Sequence, residues 1–358
     1  MTGLTRVLFL SHSHAFGSFR VGSHHYAREL ARRGAEVVHL STPISRVHRW
    51  LRRVSGEDDR AVPRGTHRDA DGVTHLVPRT VLPAPYGRFE VARELADHGI
   101  GLDFDAVLID QPLLWDESVR QLSKRLVYRP TDLYPSGVKH RIQPRIVAAA
   151  DGVVATSSEV LRGLGGIRRP SLVIGNGVDV GHFTAAQDDS DPRPPVCVYV
   201  GALDARFDWD QLIRWARARA DVHFVVAGPS PQPPVALPSN VELVGAVSYD
   251  DLPSLLHSAR VGLLPLSDDP LNAGRSPMKL YEYLAAGLAV LARETPVIRA
   301  DESTGIHTYS DADDGSESLE QALAHASPNR DGETRAMAES WAAKTDQLVD
   351  FILDLPRR

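Results

Sequence analysis

A chain of 358 residues with 42% apolar side chains is long enough for two α/β domains of ordinary size, each burying its own core. A formal charge of −6 argues against nucleic acid as the main partner, because neutralising phosphates calls for a basic face. Cys197 is the single cysteine, so an internal disulfide is excluded and a reducing, cytoplasmic setting is expected; no apolar run is long enough for a secretory core or a bilayer crossing.

The first strand is expected at residues 6–10, followed by the loop SHSHAFGSFRVG at 11–22. In a parallel α/β sheet the ligand crevice opens at the carboxyl ends of the strands, so this loop belongs on the binding side. Its glycines, Gly17 and Gly22, are spaced G-x4-G rather than G-x-G-x-x-G, which counts against a dinucleotide enzyme. A helix at 23–33 ended by Gly34 and a strand at 36–40 come next. His12, His14, His24 and His25 invite a metal or acid/base role, but no thiol or carboxylate completes a ligand set, so no metal is expected. The basic stretch SRVHRWLRR at 45–53 reads either as a solvated helix or, through residues 46–53, as a peripheral contact with an anionic membrane surface. After a polar loop at 56–68, strands at 73–77, 106–109 and 126–129 and a helix at 88–98 keep the α/β alternation.

Strands at 153–157 and 171–174 precede Gly175, Asn176, Gly177, Val178 and Asp179, and the proline-rich stretch QDDSDPRPP at 187–195 reads as a linker. A second array opens with the strand at 196–200, a helix at 209–219 capped by Asp208, and strands at 223–227, 241–244 and 261–265. Residues 333–353 read as one long amphipathic helix packing through Met337, Trp341, Leu348 and Phe351. The expected organisation is a first domain at 1–180, a linker at 181–195, a second domain at 196–330 and a terminal helix at 331–358, the two arrays forming Rossmann-like halves.

The most informative stretch is NAGRSPMKLYEYLAAGLAVLA at 272–292. Ser276 and Pro277 form a helix start and Gly287 a stop. Met278, Lys279 and Glu282 then share one face near the positive end, where free N–H groups and the Lys279 ammonium suit a diphosphate and a Glu282 carboxylate suits two ribose hydroxyls. The competing reading is a capped helix whose Lys and Glu face water. Arg206 likewise suits either phosphate oxygens or an ion pair with Asp204 or Asp208. The D-x-D pairs at 103/105 and 208/210 precede their elements instead of ending a strand, so a required metal is rejected.

This stretch resembles the nucleotide-sugar motif S-P-x-K-x-x-E-Y-x-A-x-G-x-P-V-V of GT-B glycosyltransferases, here ending in Leu288, Ala289 and Val290. The GNGVD run at 175–179 resembles that superfamily's hinge signature, and Val200 to Leu203 with Arg206, Phe207 and Asp208 the opening of its second domain. The run FRVGSHH at 19–25 is similar to the branch containing the xanthan glucuronosyltransferase and the teichuronic-acid transferases. The resemblance implies α/β architecture of GT-B type, with two Rossmann-like domains facing an interdomain cleft and a C-terminal helix returning to the first. It implies transfer of a sugar from a nucleotide diphosphate donor, expected to be a UDP-sugar, to an acceptor hydroxyl that can be lipid-linked, with no cofactor beyond the donor. Gly17, Gly201, Arg206, Ser276, Met278, Lys279 and Glu282 are the expected donor residues.

An inverting transferase needs a base in its first domain. Asp132 holds the post-strand position at which the glucuronosyltransferase branch carries an aspartate; its other reading is a turn cap before Leu133, and His14 and His25 are the reserves. Many retaining members carry E-x7-E, but position 274 is glycine, so either Asn272, Arg275 or the Asp268–Asp269 pair substitutes or the enzyme inverts. A GT-B epimerase and a non-catalytic nucleotide-sugar-binding protein are the alternatives.

Overall fold

The computed structural model describes residues 3–17, 20–47, 62–87, 89–184, 193–229 and 232–357. Most of the basic stretch at 46–53 and of the expected linker at 181–195 lies outside these residues. The chain divides into two compact units, Met1–Gly175 together with Lys344–Arg358, and Asn176–Ala343. The division falls inside the GNGVD run, ahead of the expected boundary at 180, and residues 331–343 stay with the second unit.

The first unit is built from β1 (Arg6–Ser11), α1 (Gly22–Arg32), β2 (Glu36–Ser41), β3 (Ile44–Ser45), β4 (Thr66–Arg68), β5 (Thr74–Leu76), β6 (Arg79–Thr80), α2 (Val91–Asp97), β7 (Ala106–Ile109), β8 (Leu126–Tyr128), α3 (Gly137–Ala149), β9 (Gly152–Ala155), α4 (Ser158–Gly163) and β10 (Ser171–Val173). Its main sheet runs β10-β9-β8-β7-β1-β2-β5-β4, parallel except for β4, which pairs antiparallel with β5. Val7, Leu8, Phe9 and Leu10 are wholly buried, as are Ala106, Val107, Leu108 and Ile109. Such unbroken apolar runs are what a sheet covered on both faces demands. The chain leaves β1 for β2 on one side and reaches β7 on the other, so the topological switch point lies between β1 and β7.

The second unit repeats this plan with α5 (Val180–Thr184), β11 (Val196–Val200), α6 (Trp209–Ala218), β12 (His223–Ala227), β13 (Val241–Gly245), α7 (Leu252–His257), β14 (Val261–Leu264), α8 (Met278–Ala285), β15 (Ala289–Arg293), β16 (Ile306–Tyr309), α9 (Ser316–Ala324) and α10 (Arg330–Ala338). The sheet order is β13-β12-β11-β14-β15-β16, with every pairing parallel and the switch point between β11 and β14. Core side chains fill both faces, Tyr283, Leu284 and Val290 in one cluster and Trp215, Phe224 and Leu291 in another.

The single helix expected at 333–353 is two helices, α10 and α11 (Trp341–Asp354). Backbone pairing breaks the run: Val178 N donates to Glu339 O at 3.0 Å and Trp341 N to Val178 O at 3.0 Å. Trp341 and Leu348 are buried as expected, whereas Met337 is 57% exposed and does not pack. The end of α11 is held in the first unit by Arg125, which donates to the carbonyls of Leu353 and Leu355 at 3.1 Å. These oxygens have no intrahelical partner, and a cation suits that end of a helix. Gly152 makes the packing possible, because an added Cβ would lie 2.8 Å from the Phe351 ring.

Candidate functional site

In the second unit the residue after the first strand of the sheet is Gly201, and only glycine fits there. Its φ is +151°, and an added Cβ would stand 2.3 Å from Lys279 Cε and 2.7 Å from Nζ, so the Lys279 side chain lies across the space left open. Helix α8, which carries Lys279, is anchored by Tyr283: its ring packs on Gly262 of β14, and its hydroxyl accepts from Val200 N at 2.9 Å. Gly287, at φ +74°, ends the helix in the left-handed region, as expected.

The helix start differs from expectation. Pro277 is the residue before the first turn and no side chain caps it. Ser276 Oγ instead accepts from Asn176 N at 2.9 Å, while Asn176 Nδ2 donates to the Ser276 carbonyl at 2.6 Å. The serine expected to cap α8 therefore ties it to the GNGVD run, and the positive end of α8 is left without a side-chain oxygen.

Burial sets the charges here. It pushes the Lys279 ammonium down to about 8, with Arg275 and Arg206 adding repulsion and Glu282 and Asp204 opposing the shift. It pushes the Glu282 carboxyl up to about 7, with Lys279 acting the other way. Met278 is half-buried beside them. Arg206 makes the ion pair with Asp204 foreseen as its second role, Nε to Oδ1 at 3.0 Å and to Oδ2 at 3.1 Å. The arrangement gathers Lys279, Arg206 and Arg275 at one helix start against Asp204 and Glu282, an excess of cation suited to a diphosphate. Asp208 does cap α6, accepting from Gln211 N at 2.9 Å.

The loops after β11 and β14 are stitched together. Ser267 N donates to Arg206 O at 2.9 Å, and buried Asn272 donates through Nδ2 to the carbonyls of Arg206 at 3.2 Å and Ser267 at 3.0 Å. Asn272 Nδ2 is thus engaged by the loop backbone, while its buried Oδ1 has no hydrogen-bond partner among the described residues. Asp268 lines a cleft of about 550 Å³ with Trp209 and Arg293, beside these loops.

In the first unit the residue after β1 is His12, half-buried at the β1/β7 switch point. His12 Nε2 lies 3.1 Å from Thr131 Oγ1 and 3.4 Å from Tyr134 Oη, and the ring also bonds the Asp110 backbone. Burial, then the charges of Lys139 and Arg129, push His12 down to about 3, so it is a neutral acceptor of hydroxyl protons. Asp110 and Arg129 form a buried ion pair below it, Nε to Oδ1 at 2.9 Å, with the guanidinium over the Tyr26 ring. Asp132 is exposed beside Thr131, whose hydroxyl is 3.4 Å from Oδ2, and no backbone N–H among the described residues is bonded to it as a turn cap would require.

The reserve bases fare differently. His25 is buried on α1 at 3% exposure. His14 is half-buried beside Phe16, at 6.1 Å between ring centroids. His24 fixes the loop, with Nδ1 accepting from Val21 N at 3.1 Å and Nε2 bonding Ser13 O at 3.0 Å. The Gly17 carbonyl accepts from Arg20 at 3.3 Å, a local loop contact. Among the described residues no group of His, Cys, Asp and Glu is arranged to hold a metal.

With this geometry in place, residues 194–326 match the family described as Glycosyl transferases group 1. That match lies wholly within the second unit. The chain is also 25% identical over 186 residues to TuaH of Bacillus subtilis strain 168, named for teichuronic acid biosynthesis as a glycosyltransferase; the match spans 47% of this chain and 47% of that protein, about half of each. Sucrose-phosphate synthase from Thermosynechococcus elongatus superposes with a TM-score of 0.67 at 15% identity, over 96% of this chain and 98% of that one. HepE of Anabaena in complex with UDP-glucose does so with 0.65 at 14% identity, over 98% and 100%. The fold is GT-B, two Rossmann-like domains. Within the matched residues the structure brings together Gly201, Arg206, Met278, Lys279 and Glu282, turns Ser276 toward Asn176, and adds Arg275 and Asp204. The missed His12 had one sequence signal: it follows the first strand of its sheet as Gly201 follows the first strand of the other.

Proposed function

We propose that the protein is a glycosyltransferase that moves a sugar from a UDP-type nucleotide diphosphate donor to an acceptor hydroxyl with inversion. The observation that carries this reading is Lys279, laid over Gly201 at the uncapped start of α8 with Glu282 one turn further on. In this reading the α8 N–H groups, Lys279, Arg275 and Arg206 hold the diphosphate, with Gly201, Ser276 and Met278 shaping its seat, and Glu282 accepts the ribose hydroxyls. Gly17 contributes backbone from the first unit. Asp132 takes the proton from the attacking hydroxyl as its oxygen bonds the anomeric carbon; the bond from that carbon to the diphosphate breaks, and UDP leaves with its charge held by Lys279. The family of residues 194–326, the UDP-glucose bound by HepE and the name of TuaH support the reading. Gly274, where retaining enzymes carry a glutamate, supports inversion.

No helix among the described residues is long and apolar enough to cross a membrane. An acceptor carried on a lipid, met at the cytoplasmic face through residues 46–53, belongs to the same proposal; co-sedimentation with anionic vesicles, reduced when the arginines of that stretch are replaced, is its test. The central experiment is calorimetric titration with UDP and GDP. Binding of UDP that is lost in Lys279→Ala is expected; binding of neither nucleotide, or undiminished binding by the variant, overturns the assignment.

A further inference from the structure

Lys139 lies in the first turn of α3, just beyond Tyr134 and Asp132. Its ammonium stands 4.6 Å from the centroid of the Tyr134 ring and is half-buried. No carboxylate among the described residues reaches ion-pair distance of it, and Asp132 acts on it only through space. The position opposes the charge three ways. The start of a helix is its positive end, the first turn of α3 carries no acidic residue, and burial disfavours a cation. The contact with one aromatic face, worth about 0.5–1 kcal/mol at exposed sites, offsets only part of this. The other lysine described at the surface of this unit, Lys124, pairs with Asp105 at 3.0 Å. A lysine held unpaired against a helix dipole is short of one thing, an anion.

We propose that the acceptor carries an anionic group, a carboxylate or a phosphate, and that Lys139 receives it beside Asp132. This rests on the reading of Asp132 as the base and narrows the acceptor to acidic or phosphorylated sugars. Two residues before Lys139 the start of α3 is open, since an added Cβ at Gly137 would meet nothing within 4 Å. Tyr134, fixed by His12 through its hydroxyl, presents its ring to the ammonium. A compact ammonium on a flexible stem suits either anion.

The test uses the intact chain labelled with 13C at the ε carbon of lysine, where Lys124, Lys139, Lys279 and Lys344 give four signals and Lys139→Gln identifies one. Glucuronate, glucose 6-phosphate and glucose are titrated at constant ionic strength, with and without UDP. The Lys139 signal should shift saturably with one or both acidic sugars and not with glucose. A Lys139 signal that ignores all three sugars, that responds equally to glucose, or that shifts no more than Lys124 overturns the proposal. The Lys124 signal at its usual position in Lys139→Gln shows that the first unit is folded. UDP shifting Lys279 while acidic sugars leave Lys139 unmoved would sink this inference and spare the donor reading; UDP leaving Lys279 unmoved would sink the donor reading itself.

Discussion

The two sheets share a strand order yet end differently at the same place. In the second unit the residue after the first strand is Gly201, which leaves room for Lys279 and keeps the switch point open. In the first unit it is His12, a half-buried ring whose lone pair serves the hydroxyls of Thr131 and Tyr134. Beyond the fourth strand in order, the second unit has Pro265 and a long loop into α8, and the first has Asp110, neutralised by Arg129. One fold therefore yields an open, cation-lined strand end in one half, where the proposed function seats phosphate, and a closed platform of hydroxyls in the other. The difference rests on whether a side chain occupies the position after β1 or β11.

The sharpest way to divide these roles is Asp132→Asn. Transfer should fall by roughly 100-fold or more, the scale for loss of a positioned base, while UDP affinity is unchanged; product anomeric coupling by proton NMR should show inversion. A fully active variant, or retention, returns attention to His14.

Filling the open position is the next largest change. In Gly201→Ala the new Cβ meets Lys279 and the backbone at φ +151° is strained, so UDP affinity should drop by roughly tenfold or more by calorimetry. Unchanged affinity would mean that Lys279 does not use that space.

The Lys279 ammonium should also make UDP affinity depend on pH. The charged form binds the diphosphate, so affinity holds below about 8 and falls as pH rises past it, by at most about tenfold per pH unit for one proton. Lys279→Arg, charged throughout, should lose this slope, and a slope that persists would assign it to another group.

A separate effect, on stability rather than on binding, is expected in acid. Burial lowers His12, His24 and His39, and with them His75, from the ordinary 6.5. Because the folded form keeps them neutral, their contribution is complete above 6.5 and is lost as pH falls below it, by up to about 1.4 kcal/mol per unit for each ring. Thermal melts followed between pH 7 and pH 5, with signals assigned to each unit, should show the first unit weakening sooner. Parallel loss in both units would put the cause elsewhere, for instance in His257 and His307.

The strands were legible because buried parallel strands leave continuous apolar runs such as Val7 to Leu10, and α8 was legible because Pro277 and Gly287 mark its ends chemically. Side-chain partners distant in sequence were not. Ser276 looks like a cap until Asn176 claims it from 100 residues away, and His12 looks like one loop histidine among four until Thr131 arrives 119 residues later. The break between α10 and α11 was equally hidden, since the amphipathic pattern runs on while Val178 takes the backbone groups at Glu339 and Trp341. Helical periodicity reports which face is buried; it is silent on where another strand interrupts the ladder.

The docking of α11 through Arg125 and Gly152 has a consequence for how the molecule can be taken apart. Since residues 344–357 complete the first unit, Asn176–Ala343 is an insert within it rather than a C-terminal half. A fragment ending at Gly175 would leave the Arg125 guanidinium buried with no acceptor at either carbonyl and a groove beside Gly152 with nothing to fill it, and should be recovered as an aggregate. The segment from Asn176 to Ala343, by contrast, is a cassette: exchanging it for the corresponding segment of a relative should transplant donor choice while the acceptor platform, sealed by its own terminal helix, stays in place.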